Sequence, residues 1–499
     1  MMLLLTACSN FLEESSQDEV RPATVDDMEQ LLIGEVYMEK INWNKFCNGY
    51  TDIMTDDKQC NGLIEEQDQS TLENGRYAYS WDRAMFDENG GGNDIFLWEE
   101  LYKRIMGCNV VSAYLDKVTG DPVKRENLKG EALVMRGFYY FYLVNLFGMP
   151  YNYGNPTENP GVPLKLEMGV RDEYLSRNSV AEVYGSIEKD LLEGLHLLEE
   201  NPVERDFLRA GALLAKALLC RMYLYMENWE KAIYYADELL REKSELVDLA
   251  SIYDQVITMY PQQGVYNRST PQEIIWARPG GKVDLNNALR IPSWGWSDNL
   301  AKCMQEEYEE EDGDEDEDDP GAEPEVIIHG DLRSEAFIHW GWDEYNDWAP
   351  FVGCIEKDAT DGNRGVRVAE VYLNRAEAYI RLYMKDHRED DRVKALGDLN
   401  FLRRHRFNTR VDEYVDKDIT DASELLEFYK NERRRELCGE MHHRWFDLRR
   451  YGMPEIKHLF WIKPEDGRQE FILPEKSSRY VLPIPEQVRK ANPKLEPNL

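Results

Sequence analysis

Positive charge is what this chain has least of for its size: 59 Lys and Arg face 96 Asp and Glu, a formal net charge of −37. Such a field repels phosphate backbones and anionic headgroups, which argues against nucleic acid as a partner and leaves neutral polar ligands open. Histidine is scarce too, with 8 in 499 residues. His442 and His443 are neighbours rather than four apart, so one helix face cannot aim both at a metal. There is no nucleophile elbow, Walker loop, dinucleotide fingerprint or Cys-x-x-Cys motif. Gly90-Gly91-Gly92 reads as a flexible turn, not a phosphate cradle. These gaps leave the sequence without a sign of an enzyme, a metal or a cofactor, although a hidden pair of acids among so many remains a competing reading. After Cys8, no window reaches the ~20 apolar residues that a helix needs to cross a bilayer.

What is present starts at the first residues. Leu5-Thr6-Ala7-Cys8 is an apolar run closing on a small residue and then Cys, the pattern at which exported bacterial lipoproteins are cut and acylated. Cys8 is therefore the expected lipidation site, and Ser9-Asn10 with Glu13-Glu14 suit a short tether. Met1 to Ala7 carries no Lys or Arg and is short for an export signal, so the leader is expected to begin further upstream or to have been trimmed. Residues 1–20 read as this truncated signal, lipobox and tether. Of the 8 Cys, one is spent on lipid and an odd number remains. Cys47 and Cys60 are close enough in sequence to pair, but buried free thiols fit most of them better.

Helical periodicity dominates the rest. It predicts eight helices: Trp98–Lys117, Glu131–Phe147, Val180–Glu199, Leu208–Met226, Trp229–Arg241, Arg367–Tyr383, Val393–Arg406 and Glu424–Met441. Leu219, Cys220 and Tyr223, followed by Ala232, Ala236 and Leu239, match a tetratricopeptide hairpin. Small residues there let two helices approach closely, and Ala376, Tyr379, Ala395 and Leu399 are a weaker echo. One such hairpin cannot bury its apolar face alone, so a larger helical scaffold is expected, mainly over 97–242 and 365–450. Between them, 243–364 is Gly-, Pro- and Trp-rich without helical period, and 42–97 looks similar. Loops and short strands are predicted in both. The fold class is mainly α: a tetratricopeptide-like helical scaffold with a loop-rich ligand-binding face, a single domain over 21–499.

Towards the C-terminus the residues themselves resemble a known family. Glu432-Arg433-Arg434-Arg435-Glu436-Leu437, Glu440 and Arg444-Trp445-Phe446-Asp447-Leu448-Arg449-Arg450 are similar to the signature helix of SusD/RagB-type outer-membrane nutrient-binding lipoproteins. Leu482-Pro483-Ile484-Pro485, Asn492-Pro493 and Pro497-Asn498 resemble its ending. Arg367 to Tyr379 resembles its central helix, Ala132 to Tyr151 its second helix, and Cys8 with Phe11-Leu12-Glu13 its mature start. Met441-His442-His443 is one residue longer than the family's usual turn. The resemblance implies a lipid-anchored protein on the outer membrane of a Gram-negative cell, a lid over a SusC-like TonB-dependent transporter, and glycan as usual cargo. Apart from the resemblance, the Arg/Glu block reads as ion pairs that fix helix packing.

Carbohydrate recognition needs flat aromatic faces for the C–H side of a sugar and polar groups for its hydroxyls. The candidates are Trp294 and Trp296 around Gly295, beside Asp298 and Asn299, and Trp340, Trp342, Tyr345 and Trp348 among Asp343, Asn346 and Asp347. Tyr77, Tyr79 and Trp81 alternate as they would on one face of a strand, which adds Tyr77 and Trp81. Against each stands the ordinary fate of an aromatic residue, burial in the core. The acidic run Glu306–Asp319 spaces its carboxylates somewhat like a calcium loop. Glu317 stands where the turn Gly belongs, and Pro320 follows, so a solvated, self-repelling loop is the expectation. Three functions are compatible: glycan binding, oligopeptide binding by the same family, or a glycoside hydrolase with two carboxylates about 5 or 6.5–9.5 Å apart.

Overall fold

The computed structural model describes residues 22–47, 50–62, 69–87, 95–169, 173–257, 265–279, 294–312, 326–340, 353–355, 363–463, 465 and 467–498. Helices of eight residues or more are α1 (Val25–Glu35), α2 (Lys40–Cys47), α3 (Gln69–Tyr79), α4 (Phe96–Leu115), α5 (Pro122–Phe147), α6 (Val180–Glu200), α7 (Ala212–Tyr225), α8 (Trp229–Glu242), α9 (Val368–Asp386), α10 (Glu389–Arg404), α11 (Ala422–Leu437) and α12 (His443–Arg450). All eight expected helices are present. α5 begins nine residues earlier than its apolar pattern suggests. The Asp121 carboxylate accepts from the Val123 amide and Pro122 sits at the first helical position, so local chemistry starts the helix before burial does. α6 opens on a reciprocal Ser179–Glu182 capping box. α11 stops at Leu437, short of the expected Met441, because Gly439, Met441 and His442 all take positive φ.

The α7–α8 hairpin is built as the repeat pattern requires. Cys220, Ala232 and Ala236 are completely buried, and Tyr223 fills the space beside them. α5 is the central rod: Phe138, Tyr139, Tyr140, Phe141 and Tyr142 are all buried, with α4 on one flank and α6 on another. Among the described residues no helix is long and apolar enough to cross a membrane.

The strands pair in twos, all antiparallel. β1 (Lys58–Cys60) pairs with β3 (Trp294–Trp296), β2 (Ile274–Pro279) with β8 (Asn363–Arg367), and β4 (Tyr308–Asp312) with β5 (Val326–Gly330). β6 (Ile338–Trp340) pairs with β7 (Gly353–Ile355), and β9 (Ile456–Phe460) with β10 (Gln469–Leu473). Short strands over 243–364 agree with the sequence expectation. That segment also has a core of its own, where Val247, Leu249, Trp296, Leu300, Met304, Ile328, Leu332 and Phe337 cluster with Cys438 from the end of α11.

Two expectations need correction. Residues 42–97 are not only loop and strand, since α2 and α3 lie there. Tyr77 and Tyr79 belong to the last turn of α3, and Trp81 follows in a turn at φ 52°, so the three do not share a strand face. Period two over five residues was too short a run to distinguish a strand from a helix end. Cys60, Cys108, Cys220, Cys303 and Cys438 are free thiols, so Cys60 is not paired with Cys47. The side chain of Cys47 lies outside the described residues, as do Cys8 and residues 313–319 of the acidic run.

Candidate ligand-binding site

Glu432 and Glu436 sit one turn apart on α11, completely buried, and organise the charged interior. Arg333 from the 243–364 segment donates to Glu432 at 2.8 Å and approaches Glu436 at 3.5 Å. Arg367, the residue before α9, donates to Glu436 at 2.9 Å and to Glu273 at 2.6 Å. Arg406 bridges the same two acids at 3.0 and 2.9 Å. Arg403 and Arg435 close on Glu432. Burial alone would raise both carboxyls, but these guanidiniums hold them well below the usual range. They are therefore ionised, acceptor-only groups with full coordination. Asp190 and Asp398 are acids whose pKa burial raises, and each is gripped by one arginine, Arg136 and Arg375. All of these acids join elements of the scaffold.

The aromatic candidates divide sharply. Trp81 is 1% exposed, donates from Nε1 to the Met54 carbonyl at 2.9 Å, and stacks on His458 at 4.3 Å. Trp296 is 4% exposed in the core of the 243–364 segment, with Lys58 Nζ 3.3 Å over its ring. Neither ring offers a face to a ligand, which corrects their place among the candidates. Asn299 is taken by Arg434, at 2.6 Å. Tyr77 is half-buried and packs against the main core. Trp340 has its backbone in β6; its side chain, and Trp342, Tyr345 and Trp348, lie outside the described residues.

Trp294 differs. It is half-buried on the outer end of β3, opposite Cys60 of β1. Its ring packs on Tyr79 at 4.7 Å and lies roughly parallel to Phe460 at 6.1 Å, and its Nε1 reaches the Thr71 carbonyl at 3.4 Å. Beneath it is Gly75 of α3, where a Cβ would stand 2.6 Å from the indole. Trp461, directly after β9, is a second half-buried indole in the same cluster. It rests on Gly62, whose φ of +78° and overlapping Cβ position both require glycine. Arg468 lies 4.5 Å over its ring. Polar groups border the patch: Arg76 donates to Gln469 at 3.1 Å while covering Phe460 and Phe471, and Gln59 approaches Asn61 at 3.4 Å. Two partly open indoles on glycine floors, rimmed by amides and guanidiniums, can stack on a ring and hydrogen-bond its substituents. Trp294 is among the candidates that the sequence offers, and Trp461 is not. The signal for Trp461 is an aromatic residue at the head of a polar stretch, Trp461 to Arg468, between two strand patterns.

A helical scaffold of this order carrying a segment of short strands places the molecule among the mainly α, helical-repeat folds. Two family models match the chain. The SusD-like model described as starch-binding associating with outer membrane matches residues 10–224, and the SusD family model matches residues 355–499. The chain belongs to the SusD/RagB family. It is 24% identical over 439 residues to the SusD-like protein P38 of Formosa agariphila, a match covering 81% of this chain and 79% of that one. A solved SusD superfamily protein from Bacteroides vulgatus superposes with a TM-score of 0.68 at 22% identity, covering 95% of this chain and 99% of the other. A SusD-like carbohydrate binding protein from the same organism gives 0.63 at 19%, with 95% and 97% covered. These likenesses to solved structures establish the fold.

Proposed function

We propose that this protein is a non-catalytic, surface-exposed outer-membrane lipoprotein that binds glycans or oligosaccharides and passes them intact to a SusC-like TonB-dependent transporter. Family membership supports the setting. Acylation at Cys8 would supply the anchor, since two or three acyl chains hold far more firmly than a single one. The observation that carries the binding reading is the pair of half-buried indoles, Trp294 and Trp461, each lying on a glycine within one cluster. Stacking on such rings suits the C–H face of a sugar, and the amides of Gln59, Asn61 and Gln469 suit its hydroxyls. Trp340, Trp342, Tyr345, Trp348 and Tyr77 stay in the proposal as further contacts. Affinity electrophoresis on immobilised glycans tests it: Trp294→Ala, Trp461→Ala and Trp340→Ala should each lose retention on glycans that retard the wild type. Unchanged retention in all three would remove the site, and shortened cargo after incubation would sink the non-catalytic reading.

A further inference from the structure

A separate cavity of about 480 Å³ opens at the start of α7 and shares no residue with the aromatic patch. Its size is that of a small-molecule pocket. The floor is the first turn of α7, whose N-cap is Gly211, so no side chain caps the amides there. A 14-residue helix presents partial positive charge at that end. Arg205, Arg209 and Lys243 line the walls, against one carboxylate, Asp206. Asp206 is already engaged: its Oδ1 accepts from the Leu208 amide at 3.0 Å, and its other oxygen is 3.9 Å from Arg268. Buried Glu131 pairs with Arg205 Nη1 and with Arg209. Arg205 Nη2 is left buried without a hydrogen bond, with Glu29 3.9 Å away. Lys243 donates to the Pro271 carbonyl at 3.0 Å.

The second feature is Asn127 of α5, 3% exposed and lining the same cavity. Its Nδ2 donates to the Asn201 carbonyl at 2.7 Å, while its Oδ1 is buried with no partner. A buried acceptor left unmet is destabilising, so a donor such as a hydroxyl is what that position fits. Phe207 and Ile275 give the cavity apolar walls. A ligand that meets every wall carries an anionic group for the helix end and Arg205, a hydroxyl for Asn127, and a C–H face for Phe207. We propose that this cavity binds a small polyhydroxylated carboxylate of the uronate class, at a site distinct from the glycan patch.

Isothermal titration of the full chain with glucuronate, glucose and acetate tests this. Glucuronate is expected to bind saturably, with glucose and acetate each at least ten-fold weaker because one lacks the charge and the other the hydroxyls. Gly211 has extended backbone and open space at its Cβ, so Gly211→Asp is sterically free. Its carboxylate would cap α7 and occupy the anion position. Glucuronate affinity should fall at least ten-fold while Tm holds or rises by about 1 °C. Lys243→Gln, which breaks no carboxylate pair, should weaken binding several-fold. Trp461→Ala should leave glucuronate binding intact even where it removes glycan binding. Absence of saturable glucuronate binding, equal binding of glucose or acetate, an unchanged Gly211→Asp variant, or loss of glucuronate in Trp461→Ala would each overturn the proposal.

Discussion

Around Glu432 and Glu436, large side chains are buried with every charge met, and the partners come from distant parts of the chain: Arg333, Arg367, Arg403 and Arg406. Around Trp294 and Trp461, large side chains are held half out of the core, each with a glycine against the indole and only part of the ring covered by other side chains. The first arrangement ties the 243–364 segment to the helical scaffold, because Arg333 and Glu273 belong to that segment and α11 to the scaffold. The second keeps apolar surface available and forgoes the packing that a buried ring would have had. One region is given over to the fold, and the other leaves apolar surface open where we propose that the ligand binds. Substitutions should therefore separate stability from binding.

The largest expected effect is at the network. Glu436→Ala would leave Arg406 and Arg367 buried with one of their two shared carboxylates gone. Breaking a buried pair from one side costs about 3–5 kcal/mol. Urea denaturation should show this as a large drop in midpoint, and a loss below about 1 kcal/mol would mean the network does not hold the two parts together.

Acid attacks the same region from another direction. His442 is completely buried, with Nδ1 against the Thr51 hydroxyl and Nε2 without a partner, and burial pushes its pKa down to about 4. The unfolded chain takes up this proton near pH 6.5, so between about 6.5 and 4 it binds more protons than the folded one. Stability then falls as the pH is lowered through that window, with His442 alone accounting for about 2 kcal/mol between pH 7 and 5 and buried His443 and His458, shifted the same way, adding to it. Glu377, Glu432 and Glu436 have depressed pKa values, so their contribution is present above the usual carboxylate range and is lost only below it. A denaturation midpoint that stays flat from pH 7 to 5 would show that His442 is not buried neutral.

A smaller effect is expected beneath Trp294. Alanine in the interior of α3 gains about 1 kcal/mol of helix propensity over glycine. A Cβ at Gly75 would stand 2.6 Å from the indole, and overpacking of that kind costs about 1–3 kcal/mol. The two nearly cancel, so Gly75→Ala should change stability by about 1 kcal/mol or less. Trp294 should swing off its floor, and glycan retention should fall with it. Intact retention would show that the ring's position is unimportant.

The scaffold was largely legible in the sequence and the site only partly so, for the same physical reason. A helix buried along one face writes its period into the chain, as Ala232, Ala236 and Leu239 of α8 do. The charged network was legible as ion pairs on α11, but not its partners, because Arg333 and Glu273 are far away in sequence. An indole's exposure depends on neighbours from other segments. Trp294 and Trp296 are two residues apart in one strand, yet the first packs beside Gly75 and Phe460 and the second disappears among Leu300, Met304 and Phe337. Trp81 lies in a polar stretch and is nonetheless enclosed by His458 and Met54.

Trp461→Ala should cost the least stability and reveal the most. Deleting a fully buried Trp or Phe costs about 3–5 kcal/mol, most of it from packing forfeited on every side of the ring. Trp461 is half-buried, with Gly62 beneath and Arg468 across it, so about 1 kcal/mol is the expected loss. Its glycan affinity should fall at least ten-fold, since the indole and the Arg468 guanidinium seated on it would no longer present one surface to the sugar. A variant that unfolds early and binds normally would invert the comparison and place Trp461 with the core. One that folds normally and binds nothing would show that the molecule keeps its ligand surface apart from the interactions that hold it together.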